Sequence, residues 1–170
     1  MRPAKNWRNQ PTLYAAEGMG QVFARDSWQR DGSFFGVYMA NRTGVDHEMH
    51  YFGDFQLYRR GEWALTHPLG YDANEAEHVN GMLLGGWSAA REFRQLLDYG
   101  AGPDGIVYAT GSTGGHPSML GTEDPAPYFL HEWTRSLVYV PSHDGSVDLV
   151  LVHDRTLVEN PKTLPKYESY

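Results

Sequence analysis

Cysteine is absent from the 170 residues, which excludes disulfide bonds, thiolate-bound zinc and a cysteine nucleophile. No run of about 18 apolar residues occurs, so no membrane-spanning helix is expected. The start, Met1-Arg2-Pro3-Ala4-Lys5-Asn6-Trp7, has no apolar core after its charges and does not read as a signal peptide. Gly111-Ser112-Thr113-Gly114-Gly115 lacks the lysine and the following helix of a phosphate-binding loop. No Gly-x-Ser-x-Gly nucleophile elbow is present. Basic side chains number 14 against 21 acidic ones, and the net charge of −7 argues against non-specific binding to nucleic acid.

What basic charge there is sits early and is mostly arginine. Residues 1–71 hold 8 basic and 7 acidic groups, whereas residues 72–170 hold 6 and 14. The first part is therefore able to face an anionic ligand although the whole chain is acidic. Arginine outnumbers lysine 11 to 3, which suits planar recognition of carboxylate or sulfate, although genome composition is the plainer explanation. A chain of this length fits one domain whose core needs no covalent staple.

Nineteen glycines, ten prolines and 14% aromatics describe short strands joined by tight turns. Residues 1–17 show no periodicity and read as a loose arm. Val22 to Arg25 and Ser33 to Ala40 read as strands flanking a turn that ends in Asp31-Gly32. Asp54 to Tyr58 alternates, with Phe55 and Leu57 on one face. Trp63 to His67 alternates again, placing Trp63, Leu65 and His67 together, and Arg59-Arg60-Gly61-Glu62 turns between the two. Ala90, Phe93, Leu96 and Leu97 fall at helical spacing between a capping Ser88 and Gly100, so a helix is expected over 87–99. Strand signals return at 106–109, 136–140 and 147–152, the last two joined by a loop over 141–145. The expected fold is mainly β, an antiparallel β-sandwich with one inserted helix over residues 18–158, followed by a polar tail over 159–170.

Histidine carries the chemical signal. Four of the eight, His47, His50, His67 and His78, lie between positions 47 and 78. His116, His131, His143 and His153 are scattered and read as ordinary surface or core residues. His47 and His50 would point to opposite faces of a strand, so at most one of them is expected to join a cluster. His78 stands among Glu75 and Glu77, whose charges raise a neighbouring imidazole's pKa. Three neutral imidazoles with a water suit zinc; separate packing of each ring is the plainer alternative.

The order of the motifs resembles the sandwich part of heparinase II/III-like polysaccharide lyases, a family that includes alginate lyases. Gly20-Gln21-Val22-Phe23-Ala24-Arg25-Asp26-Ser27-Trp28 is similar to its entry strand. Asp46-His47-Glu48-Met49-His50, followed by Gly53 to Trp63, is similar to its histidine motif and the hairpin after it. His67-Pro68-Leu69-Gly70-Tyr71 and His78-Val79-Asn80 resemble its next turn and its His-Asn element. Arg135 to Val140 and Val147 to Arg155 resemble its late strand pair. The pattern departs from the family where Met49 and His50 replace an i, i+2 histidine pair, where Val79 splits the His-Asn pair and where Asp54 replaces a serine.

The resemblance implies β-elimination on a uronic-acid polysaccharide such as alginate or a glycosaminoglycan. It casts His47 as the catalytic histidine facing the cleft. Arg42 and Tyr71 are the candidate substrate contacts, and His50, His67 and His78 the candidate zinc ligands. The family pairs its sandwich with a helical toroid that supplies the acid/base tyrosine. No toroid is legible before residue 18, so the chain alone is expected to be inactive. Members are usually exported, whereas no export signal is legible here. Two other readings compete. One is a non-catalytic module that holds acidic glycan through Arg25, Arg42, Arg59 or Arg60 with Trp28 and Trp63 as stacking surfaces. The other is a small metal-dependent barrel enzyme built on His50, His67 and His78.

Overall fold

A computed structural model describes residues 6–29, 32–39, 52–66, 79–84, 87–88, 94–114, 116–117, 129–142 and 147–159. The described chain is mainly strand, arranged as two antiparallel sheets that form a β-sandwich. The first sheet is a meander: β1 (Leu13–Ala16), β2 (Gln21–Arg25), β3 (Phe34–Tyr38), β4 (Asp54–Arg59) and β5 (Glu62–Leu65), each beside the next. A small ribbon pairs β6 (Leu83–Leu84) with β7 (Trp87–Ser88). The second sheet contains β8 (Gln95–Ala101), β9 (Val107–Thr113), β10 (His116–Pro117), β11 (Phe129–Val140) and β12 (Leu149–Glu159). Its long strand β11 has β9 on one side and β12 on the other.

Alternation places the core. On β2 and β3, Val22, Ala24, Phe35 and Val37 point inward. They meet Val107 and Ala109 of β9 and Trp133, Leu137 and Tyr139 of β11. Phe35 stacks on Tyr139 with centroids 4.9 Å apart, and Phe52 meets Trp133 edge-on at 4.9 Å. Such ring pairs add about 0.5–1.5 kcal/mol each to the area they bury. Gly111 lets the layers close, because a Cβ there would lie 2.7 Å from Met39 Sδ. Asp148 fastens the β11–β12 hairpin to the first sheet. It accepts from Ser142 N at 2.8 Å and from the Tyr139 hydroxyl at 3.2 Å, and pairs with Arg59 at 2.9 Å.

Three expectations change. No single helix runs over 87–99, because Trp87–Ser88 and Gln95–Tyr99 are strand; Ala90 and Phe93 of the expected apolar stripe lie outside the described residues. Leu96 and Leu97, the two described residues of that stripe, sit at a β-bulge. Leu96 pairs with Gly111 and Asp98 with Thr110, so Leu97 is the extra residue and Leu96 and Tyr99 reach the same face at i, i+3. A second bulge corrects the face of Trp63. Leu57 pairs with Leu65 but Tyr58 with Trp63, so Ala64 is extra and Trp63 turns outward, away from Leu65. Finally, the stretch read as a loose arm supplies β1, whose Leu13 and Ala15 pack on the core from the sheet edge.

Candidate functional site

Two places on the first sheet gather chemistry, one at each end of β3. The first is the rim where β3 ends and β4 begins. Antiparallel pairing sets Tyr38 opposite Asp54, and β5 runs toward the same end. Gln56 links them, accepting from the Tyr38 hydroxyl at 2.9 Å and donating to Thr66 Oγ1 at 3.3 Å. Asp54 is fully buried and accepts from Asn80 N and Asn80 Nδ2, both at 3.1 Å. Behind them Arg135 spans the two sheets. Its Nε and Nη2 donate to the two Asp154 oxygens at 2.7 Å each, and its Nη1 donates to Gly53 O at 2.9 Å and to Asn80 O. Trp133 Nε1 donates to Asp154 Oδ1 at 2.8 Å. Burial pushes the Asp154 carboxyl up, but the bidentate guanidinium and the indole N–H outweigh it and hold it below the usual range.

This network ties Phe52, Gly53, Asp54, Thr66 and Asn80 into one frame, and these residues flank the histidine-bearing stretches. Arg42, His47 and His50 fall between Met39 and Phe52. His67, Tyr71 and His78 fall between Thr66 and Val79. All six lie outside the described residues, while the flanks of both stretches meet at this rim. Gly53 N donates to Tyr38 O at 2.8 Å, closing the base of the first stretch. Gly53 has φ 75°, and a Cβ there would also meet Arg135 Cδ at 2.8 Å, so this joint admits glycine only. Of the remaining histidines, His131 and His153 are exposed on the second sheet. Among the described residues no group of three His, Asp or Glu side chains is placed to hold a metal ion.

The second place lies at the opposite end of β3, on the outer face of the first sheet. Outward-facing residues of neighbouring strands form a continuous aromatic surface. Phe34 packs edge-on against Trp63 at 6.1 Å, and Trp63 against Tyr58 at 5.3 Å. Trp28 and Trp7, 6.5 Å apart, rise beside this floor, and the Trp28 indole is fixed by donating to Gln10 O at 3.0 Å. Together with Gln29 and Arg25 they enclose a groove of about 340 Å³. The Arg25 guanidinium lies over Trp28 at 5.0 Å and over Phe34 at 5.8 Å. Among the described residues no carboxylate pairs with it. Asp26 is engaged with Ser33 N at 2.8 Å, and Arg59 is committed to Asp148. Of the described arginines named with the two tryptophans, Arg25 alone lines this groove; Arg60 sits in the β4–β5 turn with φ 51°.

Trp7, Phe34 and Tyr58 were not singled out from sequence. Phe34 and Phe35 are adjacent and both apolar, so only pairing assigns one to the core and the other outward. A signal existed in Phe23, Phe34 and Tyr58, each standing one position from an inward-facing residue. Compared with models of known families and with curated proteins, the chain matches none.

Proposed function

We propose that this chain is the β-sandwich part of a uronic-acid polysaccharide lyase of the heparinase II/III-like kind. The observation that carries the reading is the shared rim. All six candidate residues belong to two stretches; Asp54, Asn80, Arg135 and Asp154 bind one described flank of each into a frame, and Gln56 and Gly53 N hold the other flanks, at Thr66 and beside Tyr38. A cleft histidine serves this chemistry because removal of the C5 proton puts further negative charge on a uronate carboxyl group. Hydrogen-bond donors and cations aimed at that group stabilise the enolate-like state. His47 fills this role, with Arg42 and Tyr71 holding the sugar. The acid/base tyrosine comes from a helical domain, so the chain alone binds acidic polysaccharide without cleaving it. A zinc ion on His50, His67 and His78 belongs to the same reading, as a structural support under the cleft.

Calorimetric titration with alginate and with glycosaminoglycans tests this, together with near-ultraviolet absorbance for unsaturated uronate. Binding without turnover is expected, weakened about tenfold by His47→Ala and by Arg42→Ala. Binding that ignores both substitutions would remove the reading, as would elimination by the isolated chain. Metal analysis of the purified protein is expected to give zinc at one equivalent, lost in His67→Ala.

A further inference from the structure

We propose that the groove formed by Arg25, Trp28, Phe34, Tyr58 and Trp63 is a binding site for an acidic saccharide, separate from the histidine rim. It does not depend on elimination chemistry, since the groove and the rim lie at opposite ends of β3. Phe34 and Tyr38 are four positions apart, about 13 Å at about 3.3 Å per residue.

Three observations select the occupant. First, the aromatic surface is open. Trp63 is 52% exposed although it meets two other rings, and a bulge at Ala64 is spent on turning it outward. A large ring held in place yet left in water has area to gain from a ligand. Second, the rings are mutually tilted, by 87° between Phe34 and Trp63 and 73° between Tyr58 and Trp63. They form a faceted trough with ring faces available to the C–H faces of a pyranose. The volume of about 340 Å³ is at the low end of ligand sites, which run about 300–1,000 Å³, and suits a short stretch of sugar.

Third, the groove holds a cation with no carboxylate partner among the described residues. The Arg25 guanidinium lies over two rings, which hold it in the groove while its N–H groups are unpaired among the described residues. A planar guanidinium so placed is preorganised for a carboxylate. Arg8, over Trp7 at 5.1 Å, adds a second positive group at the margin. A neutral sugar would leave Arg25 unused, and a proline-rich peptide would supply no anion for it.

The probes are a short uronate oligosaccharide, a neutral hexose oligosaccharide of equal length and a proline-rich peptide, each titrated calorimetrically into the full chain. Uronate is expected to bind, more weakly as salt rises. Trp63→Ala is expected to weaken it at least tenfold, with thermal unfolding showing that the exposed substitution leaves the fold intact. Arg25→Gln is expected to weaken uronate about tenfold and to flatten the salt dependence, without weakening any residual binding of the neutral sugar. Unchanged affinity in Trp63→Ala overturns the site. Equal affinity for the neutral sugar, or preference for the peptide, overturns the acidic-saccharide assignment. Uronate binding that vanishes in His47→Ala but survives Trp63→Ala moves the sugar to the rim, overturning this proposal while sparing the lyase reading.

Discussion

Asp154 is the residue on which the buried charge of Arg135 depends. The guanidinium is 8% exposed and its carboxylate partner 36%, so the pair is intermediate between core and surface. Removing one partner of a fully buried pair costs about 3–5 kcal/mol, whereas exposed pairs are worth about 0–1 kcal/mol. Discounted for the water that reaches Asp154, Asp154→Asn is expected to cost about 2 kcal/mol in urea unfolding at neutral pH. The pH dependence has a definite sign. The Asp154 pKa is lowered on folding from its ordinary 3.8, so its contribution is present above that value and fades as pH falls through the folded pKa. Acid unfolding curves of the parent and of Asp154→Asn are therefore expected to converge at low pH; a constant gap would show that the charge is not what matters. Tyr139 gives the opposite case. Burial, reinforced by Asp148, pushes its phenol up from 10.0 to about 12. Its contribution is complete below pH 10 and is lost as pH rises toward 12. Tyr139→Phe is expected to lose about 1 kcal/mol at neutral pH, the usual value of one hydrogen bond, and to unfold less steeply across that alkaline window.

Among the elements, bulges explain where the pattern in the sequence misleads. Strand alternation was readable in β2, β3, β4 and the 133–139 part of β11 because each keeps period two there: Val22 and Ala24, Phe35 and Val37, Phe55 and Leu57, Leu137 and Tyr139 all face inward, whereas β11 bulges between Leu130 and Glu132. In β8 and β5 one extra residue shifts the parity, so the adjacent Leu96 and Leu97 both fit a helical stripe although only Leu96 packs on the core, and Trp63 imitates a core residue. A bulge is a property of the pairing between two strands, and the local pattern of either strand carries no sign of it. The two adjacent leucines of β8 separate the descriptions. On a helix over 87–99 both would belong to the apolar stripe. In the bulged strand Leu96 packs on the core and Leu97 is 51% exposed. Leu96→Ala is expected to cost about 2 kcal/mol and Leu97→Ala less than about 0.5 kcal/mol, measured by chemical denaturation. Equal losses would restore the helix.

For the molecule as a whole, the sandwich was legible because inward-facing residues recur on many strands, whereas the candidate site was legible only as a set of side-chain types. Arg42, His47, His50, His67 and His78 lie outside the described residues, and only the pairing of β3, β4 and β5 places the flanks of their stretches at one rim. The aromatic groove was half legible: Arg25, Trp28 and Trp63 were visible as chemistry, and their convergence followed from the same pairings. What joins these places is the interlock between the layers. Trp133 from the second sheet is fully buried against Phe52, which precedes β4, and its indole N–H holds Asp154 beside Arg135, which reaches Gly53 and Asn80. One side chain thus bridges core, rim and both sheets. Truncating it leaves a cavity and an unfilled acceptor at once, so Trp133→Ala is expected to cost about 4 kcal/mol. Because the sheets share this core, circular dichroism and tryptophan fluorescence are expected to report one coincident transition in the parent chain. In Trp133→Ala that single transition is expected to move to lower denaturant without dividing. If it splits, with the groove's fluorescence persisting after part of the strand signal is lost, the sheets unfold separately and the rim is not held by the interlock described here.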